Sequence, residues 1–239
     1  MNAWSSFDVA IIQFINKFAH RSGVFDKGMS SLGGDNLLVS GFVVALFWWV
    51  WAREDRAPTD DREFLVFGFF ASMFAIFVAR VLALSLPFRE RPLHDPLLHN
   101  GIIMNPESLI GWSSFPSDHA ALFCALAATV WLHSKRLGAV AFCYVFLIIC
   151  FPRVYLGIHY PTDIIVGAAI GIGAVYLSKV AWIRKVSTRP LMYWMENHPG
   201  SFTAFLFYIS IEMADKFNAI RHAALFGFHS IHHTLPMIR

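Results

Sequence analysis

Long apolar runs separated by short polar patches set the pattern of this chain. Residues 37–52 are apolar apart from Ser40 and Gly41, and they end in a Trp-rich stretch before Arg53, as expected at a membrane interface. A second run covers 64–86, broken by Ser72, Arg80 and Ser85; further runs cover 120–132, 137–151 and 164–183. At about 1.5 Å per residue each run gives roughly 20 to 35 Å of helix, enough to cross a bilayer core with modest tilt once the flanks are counted. The pattern predicts an all-α, polytopic membrane helix bundle of five to six transmembrane helices.

The two ends follow a different pattern. Residues 7–19 are apolar on one face, but Asp8, Gln13, Asn16 and Lys17 interrupt them. With no basic start and no clear cleavage site, they predict an amphipathic helix lying at the interface, not a signal peptide. Residues 202–213 are apolar for about 18 Å, short for a span unless Glu212 and Asp215 turn into the bundle. Either end could supply the sixth span. The organisation expected is an interfacial segment over 1–35, a transmembrane core over 36–190, and a C-terminal segment over 191–239.

Composition agrees with a membrane protein. The chain is 56% hydrophobic and 15% charged, against about a quarter charged in soluble domains, and its mean hydropathy is +0.53. A formal charge of +3 gives no reason to expect a nucleic-acid partner. Cys124, Cys143 and Cys150 lie inside apolar runs without CxxC spacing, so they are expected as small residues packed between helices. The tail histidines His222, His229, His232 and His233 have no evident carboxylate or cysteine partner, and a solvated or interfacial tail is expected there, with no metal site.

Three polar patches fall where runs begin or end: Phe88-Arg89-Glu90-Arg91-Pro92, Pro116-Ser117-Asp118-His119, and the stretch from Arg153 to Asp163. Alternating the five spans puts all three on one face. The other face receives Arg53, Arg56 and Arg62, then Lys135 and Arg136, then Arg184, Lys185 and Arg189. By the positive-inside rule the patches then look outward, toward a periplasm or cell exterior. Charge at a bilayer edge is costly, so a functional reason is the default.

The residue types suit phosphoryl chemistry. His159 precedes Asp163 by four residues, and Pro161 suits the first turn of the helix that follows, where a carboxylate is favoured. Such a carboxylate can accept one imidazole N–H and leave the other nitrogen as a nucleophile. Arg153 can reach back across a short turn at Gly157 to clamp a phosphoryl group. Ser117 reads as a helix N-cap whose free N–H groups and hydroxyl cradle an anion. His119 in the first turn can protonate a leaving oxygen, and Asp118 is favourable there simply as a first-turn carboxylate.

From Arg80 to Asp163 these patches resemble the signature motifs of the type 2 phosphatidic acid phosphatase (lipid phosphate phosphatase) family, which read K-x-x-x-x-x-x-R-P, P-S-G-H and S-R-x-x-x-x-x-H-x-x-x-D. The resemblance implies His159 as the nucleophile that forms a phosphohistidine, Asp163 as its orienting group, and His119 as the acid. It implies Arg91, Arg153 and Ser117 as ligands of the phosphoryl oxygens, with no metal or other cofactor. Three positions depart from the motifs. Leu84 stands where the lysine is expected, leaving Arg80 or Arg89 to substitute; Pro152 replaces a serine, and Asp118 replaces a glycine.

A multi-pass protein of the plasma (inner) membrane acting on a lipid-borne phosphate is therefore expected. Resemblance to small bacterial members of the family favours undecaprenyl pyrophosphate. Phosphatidylglycerol phosphate, phosphatidic acid and lipid A phosphates follow, and a phosphotransferase would use the same residues. A non-catalytic membrane protein that binds phosphate is the reading from a different class.

Overall fold

The computed structural model describes residues 3–34, 37–53, 59–95, 98 and 109–215. Helices, turns and irregular links account for them, with no strand among the described residues. In chain order the helices are α1 (Ala3–Asn16), α2 (Gly23–Gly33), α3 (Leu37–Arg53), α4 (Thr59–Ser85), α5 (Asp118–His133), α6 (Lys135–Tyr144), α7 (Phe151–Tyr155), α8 (Pro161–Tyr176), α9 (Ala181–Asn197) and α10 (Pro199–Ala214). The tail histidines and Arg56 lie outside the described residues.

The chain is an all-α polytopic membrane protein. Three continuous helical stretches are long and apolar enough to cross a bilayer: Asp61–Ser85, Lys135–Tyr155 and Pro161–Lys179. The second runs from α6 through a π-helical turn, Val145–Cys150, into α7. The other two expected spans are helical but shorter, with 17 residues in α3 and 16 in α5.

Helix α5 lies within the bundle, with protein around it. It packs against α3, α4, α6 and α8, and 12 of its 16 residues are buried, many of them alanine. Small residues let the backbones approach closely, the usual means of helix association in membranes. A Cβ at Gly167 of α8 would run into the Ser117 carbonyl oxygen, and one at Gly171 into that of Ala121. Two of the expected cysteine positions pack inside the bundle, Cys124 and Cys150; Cys143 is exposed on the outer face of α6.

The helix starts follow local chemistry. Ser117 caps α5, its Oγ accepting from Ala120 N at 3.4 Å, and Ser134 caps α6 in the same way. Pro161 opens α8, and the Asp163 carboxylate folds back to accept from Tyr160 N at 2.8 Å. The run over 164–183 is not one helix. Val180 is extended, so residues 181–183 belong to α9, a helix whose polar sequence gave no apolar signal. Helix α9 meets the first turns of α4, where Arg184 lies 4.0 Å from the Phe64 ring centroid and Thr188 donates to Glu63 at 2.8 Å. Helix α10 packs on α3: Trp48 Nε1 donates to Ser210 Oγ at 3.0 Å, Trp51 stacks on Phe202, and Glu212 is buried.

Candidate active site

Backbone hydrogen bonds lace the three polar patches together. Leu93 N donates to Gly157 O, and Ser114 N to Arg89 O, both at 2.9 Å; Ser117 N donates to Asp163 O at 3.1 Å. The turn that returns the chain to Arg153 is the expected one at Gly157, whose φ of +68° suits glycine. Ile158 N donates to Arg153 O at 2.8 Å, which sets Arg153 beside His159.

His159 is almost fully buried, at 3% exposed. Its Nδ1 lies 2.8 Å from Ser114 O. A carbonyl oxygen only accepts, so Nδ1 carries the proton and Nε2 keeps its lone pair. Asp163 Oδ2 stands 3.7 Å from the same Nδ1, beyond hydrogen-bond length. The imidazole N–H that Asp163 was expected to take therefore goes to the Ser114 carbonyl, because Asp163 Oδ2 is engaged by Tyr160 N and Oδ1 by Arg89 Nη1 at 2.5 Å. Burial lowers the His159 pKa; Asp163 opposes the shift, and Arg91 and Arg153 add to it. The neutral, nucleophilic form is thereby favoured.

His119 lies in the first turn of α5, with Nδ1 2.8 Å from Asp118 Oδ1. Asp118 also forms an ion pair with Arg80, whose guanidinium sits 5.4 Å from the Trp112 ring centroid. A carboxylate on Nδ1 orients the ring, as a proton-transferring group requires. Asp118, expected as a plain first-turn carboxylate, thus has two partners. Leu84, the position of the family lysine, is 87% exposed.

Arg91 and Arg153 are both buried. Arg91 donates from Nη1 to Ile158 O at 2.7 Å, from Nε to Trp112 O at 3.1 Å and from Nη2 to Ser113 O at 3.2 Å. These bonds hold the second and third patches about one guanidinium and leave one N–H on each Nη for another acceptor. Burial, the dominant cause, lowers the Arg91 pKa to about 10, so it stays a cation at neutral pH. Arg153 faces the charges of Asp118 and His119. Two buried cations, a capped helix N-terminus at Ser117 and two histidines are groups that can hold an anion and exchange protons.

Sequence reasoning missed Asp8, Thr162 and Ser114, and it expected Arg89 at the phosphate in place of a lysine, whereas Arg89 binds two carboxylates. Asp8 of α1, fully buried, accepts from Thr162 N at 3.0 Å and from Thr162 Oγ1 at 2.6 Å. Arg89 Nη2 reaches the same carboxylate at 2.6 Å, while its Nη1 reaches Asp163. Ser114 supplies its carbonyl to His159. The polar positions that interrupt the apolar face of 7–19 were the only sequence signal for Asp8. Among the described residues no cluster of histidine, cysteine and carboxylate groups could hold a metal ion.

Residues 88–186 match the family described as the PAP2 superfamily. That segment holds every site residue above except Asp8 and Arg80. The chain is 23% identical over 208 residues to the lipid A 1-diphosphate synthase of Escherichia coli (strain K12), a match covering 82% of this chain and 84% of that one. It is 33% identical over 120 residues to decaprenylphosphoryl-5-phosphoribose phosphatase of Mycobacterium tuberculosis (strain ATCC 25618 / H37Rv), covering 49% and 62%. It is 25% identical over 142 residues to YbjG, a candidate undecaprenyl-diphosphatase of Escherichia coli (strain K12), covering 59% and 65%. No solved structure matches.

Proposed function

We propose, from the match of residues 88–186 to the PAP2 superfamily, that the chain is a membrane phosphatase for a lipid-borne phosphate or diphosphate, working through a phosphohistidine. The observation that carries the reading is the tautomer of His159: with Nδ1–H on the Ser114 carbonyl, Nε2 is left as a buried, neutral nucleophile beside two cations. Nε2 attacks phosphorus, the P–N bond forms and the P–O bond to the leaving group breaks. His119 gives the departing oxygen its proton. Water then attacks the phosphohistidine, His119 takes back a proton, and inorganic phosphate leaves. Arg91, Arg153, Ser117 and the N-terminus of α5 stabilise the charge on the transferring group throughout.

An apolar rim supports a lipid substrate. Leu86, Phe88, Ile110 and Trp112, all exposed, border the polar patches, so a substrate can enter sideways from the bilayer with its phosphate toward the arginines. Undecaprenyl pyrophosphate, dephosphorylated to undecaprenyl phosphate, is the preferred substrate of this reading. The names of the decaprenylphosphoryl phosphatase and of YbjG support a polyprenyl carrier. A second reading, transfer of the phosphoryl group to another lipid, takes its support from the diphosphate synthase. The basic residues at the far ends of the helices favour a site facing outward from the plasma (inner) membrane.

The test is phosphate release by the purified chain from undecaprenyl pyrophosphate, phosphatidic acid, phosphatidylglycerol phosphate and lipid A, with and without EDTA. Release that is fastest from the polyprenyl diphosphate and persists in EDTA is expected. Release from none of them contradicts the enzyme reading and returns the chain to the phosphate-binding class. Loss with EDTA contradicts a site whose positive charge comes from arginines alone.

A further inference from the structure

The most heavily bonded carboxylate near the site belongs to the N-terminal helix. A carboxylate without exposure is costly unless donors surround it, and Asp8 has three: Thr162 N, Thr162 Oγ1 and Arg89 Nη2. Arg89 joins Asp8 to Asp163, one cation between two carboxylates, and also donates to Thr162 Oγ1 at 2.9 Å. The network closes on itself and carries one net negative charge. Its Asp163 end faces His159 Nδ1.

We infer that Asp8 is a positioning residue for the reaction, acting through Arg89 and Thr162 on Asp163 and His159. Two consequences follow from the geometry. Asp8 pins the first turn of α8, the turn that holds Asp163 and follows His159 directly. Asp8 also supplies the charge that leaves the Asp8–Arg89–Asp163 group negative. When Nε2 becomes bonded to phosphorus while Nδ1 keeps its proton, the ring turns cationic, and that negative group favours the change. The N-terminal helix, outside the family-matched segment, is then a part of the catalytic apparatus.

The inference rests on the phosphatase reading, so its test carries that reading's own control. The full-length enzyme and Asp8→Asn are compared in phosphate release from undecaprenyl pyrophosphate across pH, with His159→Ala as the blank. Asparagine keeps the shape and the acceptor for Thr162 N but removes the charge. The other charges facing His159, namely Arg91, Arg153, Asp118 and Asp163, are unaltered. The expected result is a kcat about tenfold lower or less, an unchanged KM, and an acid limb of kcat/KM moved to lower pH, since a negative charge near the imidazole is gone.

If Asp8→Asn melts below the assay temperature, Asp8→Asn/Arg89→Gln is read in its place, because it returns the network to one net negative charge; its acid limb is expected at the wild-type position. A folded Asp8→Asn enzyme with wild-type kcat and acid limb overturns the inference. So does a lower kcat with an unmoved acid limb, which marks a purely structural helix, and so does a double variant whose acid limb has moved. Wild-type enzyme that releases no phosphate overturns the phosphatase reading instead.

Discussion

His159 donates its Nδ1–H to the carbonyl oxygen of Ser114 at 2.8 Å, while Asp163 stands 3.7 Å from the same nitrogen. The main chain therefore fixes the tautomer, and the carboxylate contributes charge and helix capping. A protein that depends on a carboxylate for its tautomer loses about 10⁴ in kcat when that group becomes an amide. Here Asp163→Asn is expected to lower kcat by only about 10- to 100-fold, the range for an outer-shell partner. His159→Ala should leave no turnover in an enzyme that still inserts and folds. Steady-state phosphate release by the two variants checks this ordering, and equal, complete loss in both would refute it.

The pH profile should carry the signature of a buried nucleophile. Burial lowers the His159 pKa from its ordinary value, which is about 6.5 for a free histidine. The neutral ring is the active form, so kcat/KM is expected to hold as pH falls through 6.5, in units where an exposed histidine would already be protonated, and to decline only below it. The same shift makes folding stability fall as the pH drops, because the unfolded state binds the proton more readily. An acid limb above the ordinary histidine value would contradict this environment.

Arg80 and Asp118 should behave as a unit. They form an ion pair next to His119, at positions where the family motifs have a nearby lysine and a glycine. Arg80→Ala leaves Asp118 uncompensated beside the phosphate site, and a KM raised about tenfold, or roughly 1.4 kcal/mol of binding, is expected. Adding Asp118→Gly removes the repulsion and should recover most of that KM, at some cost in kcat from the freed His119 ring. A double variant with the summed defects of its parents would show that the pair does not act together.

Much of this arrangement was legible because its parts are local. Ser117 as a cap, Pro161 at the start of α8 and the turn at Gly157 are set by neighbours a few residues away, and apolar runs mark α3, α4 and α5 directly. What was not legible depends on contacts far apart in sequence. Asp8 meets Thr162 across 154 residues, so in the sequence it is only a polar break in an apolar face. The allegiance of Arg89 to two carboxylates and the Ser114 carbonyl on His159 have no residue-type signature at all. The break at Val180 was hidden because apolar residues continue across it, and α9 because its polar sequence gives no spanning signal.

The central claim, that His159 is the nucleophile, has a direct measurement. The enzyme is mixed with undecaprenyl pyrophosphate radiolabelled in its terminal phosphate, quenched in alkali within a turnover, and the labelled peptide is mapped. The account predicts an acid-labile, alkali-stable label on His159, absent from His159→Ala. Phosphate release during turnover with no label on His159, or with the label on another residue, would contradict it.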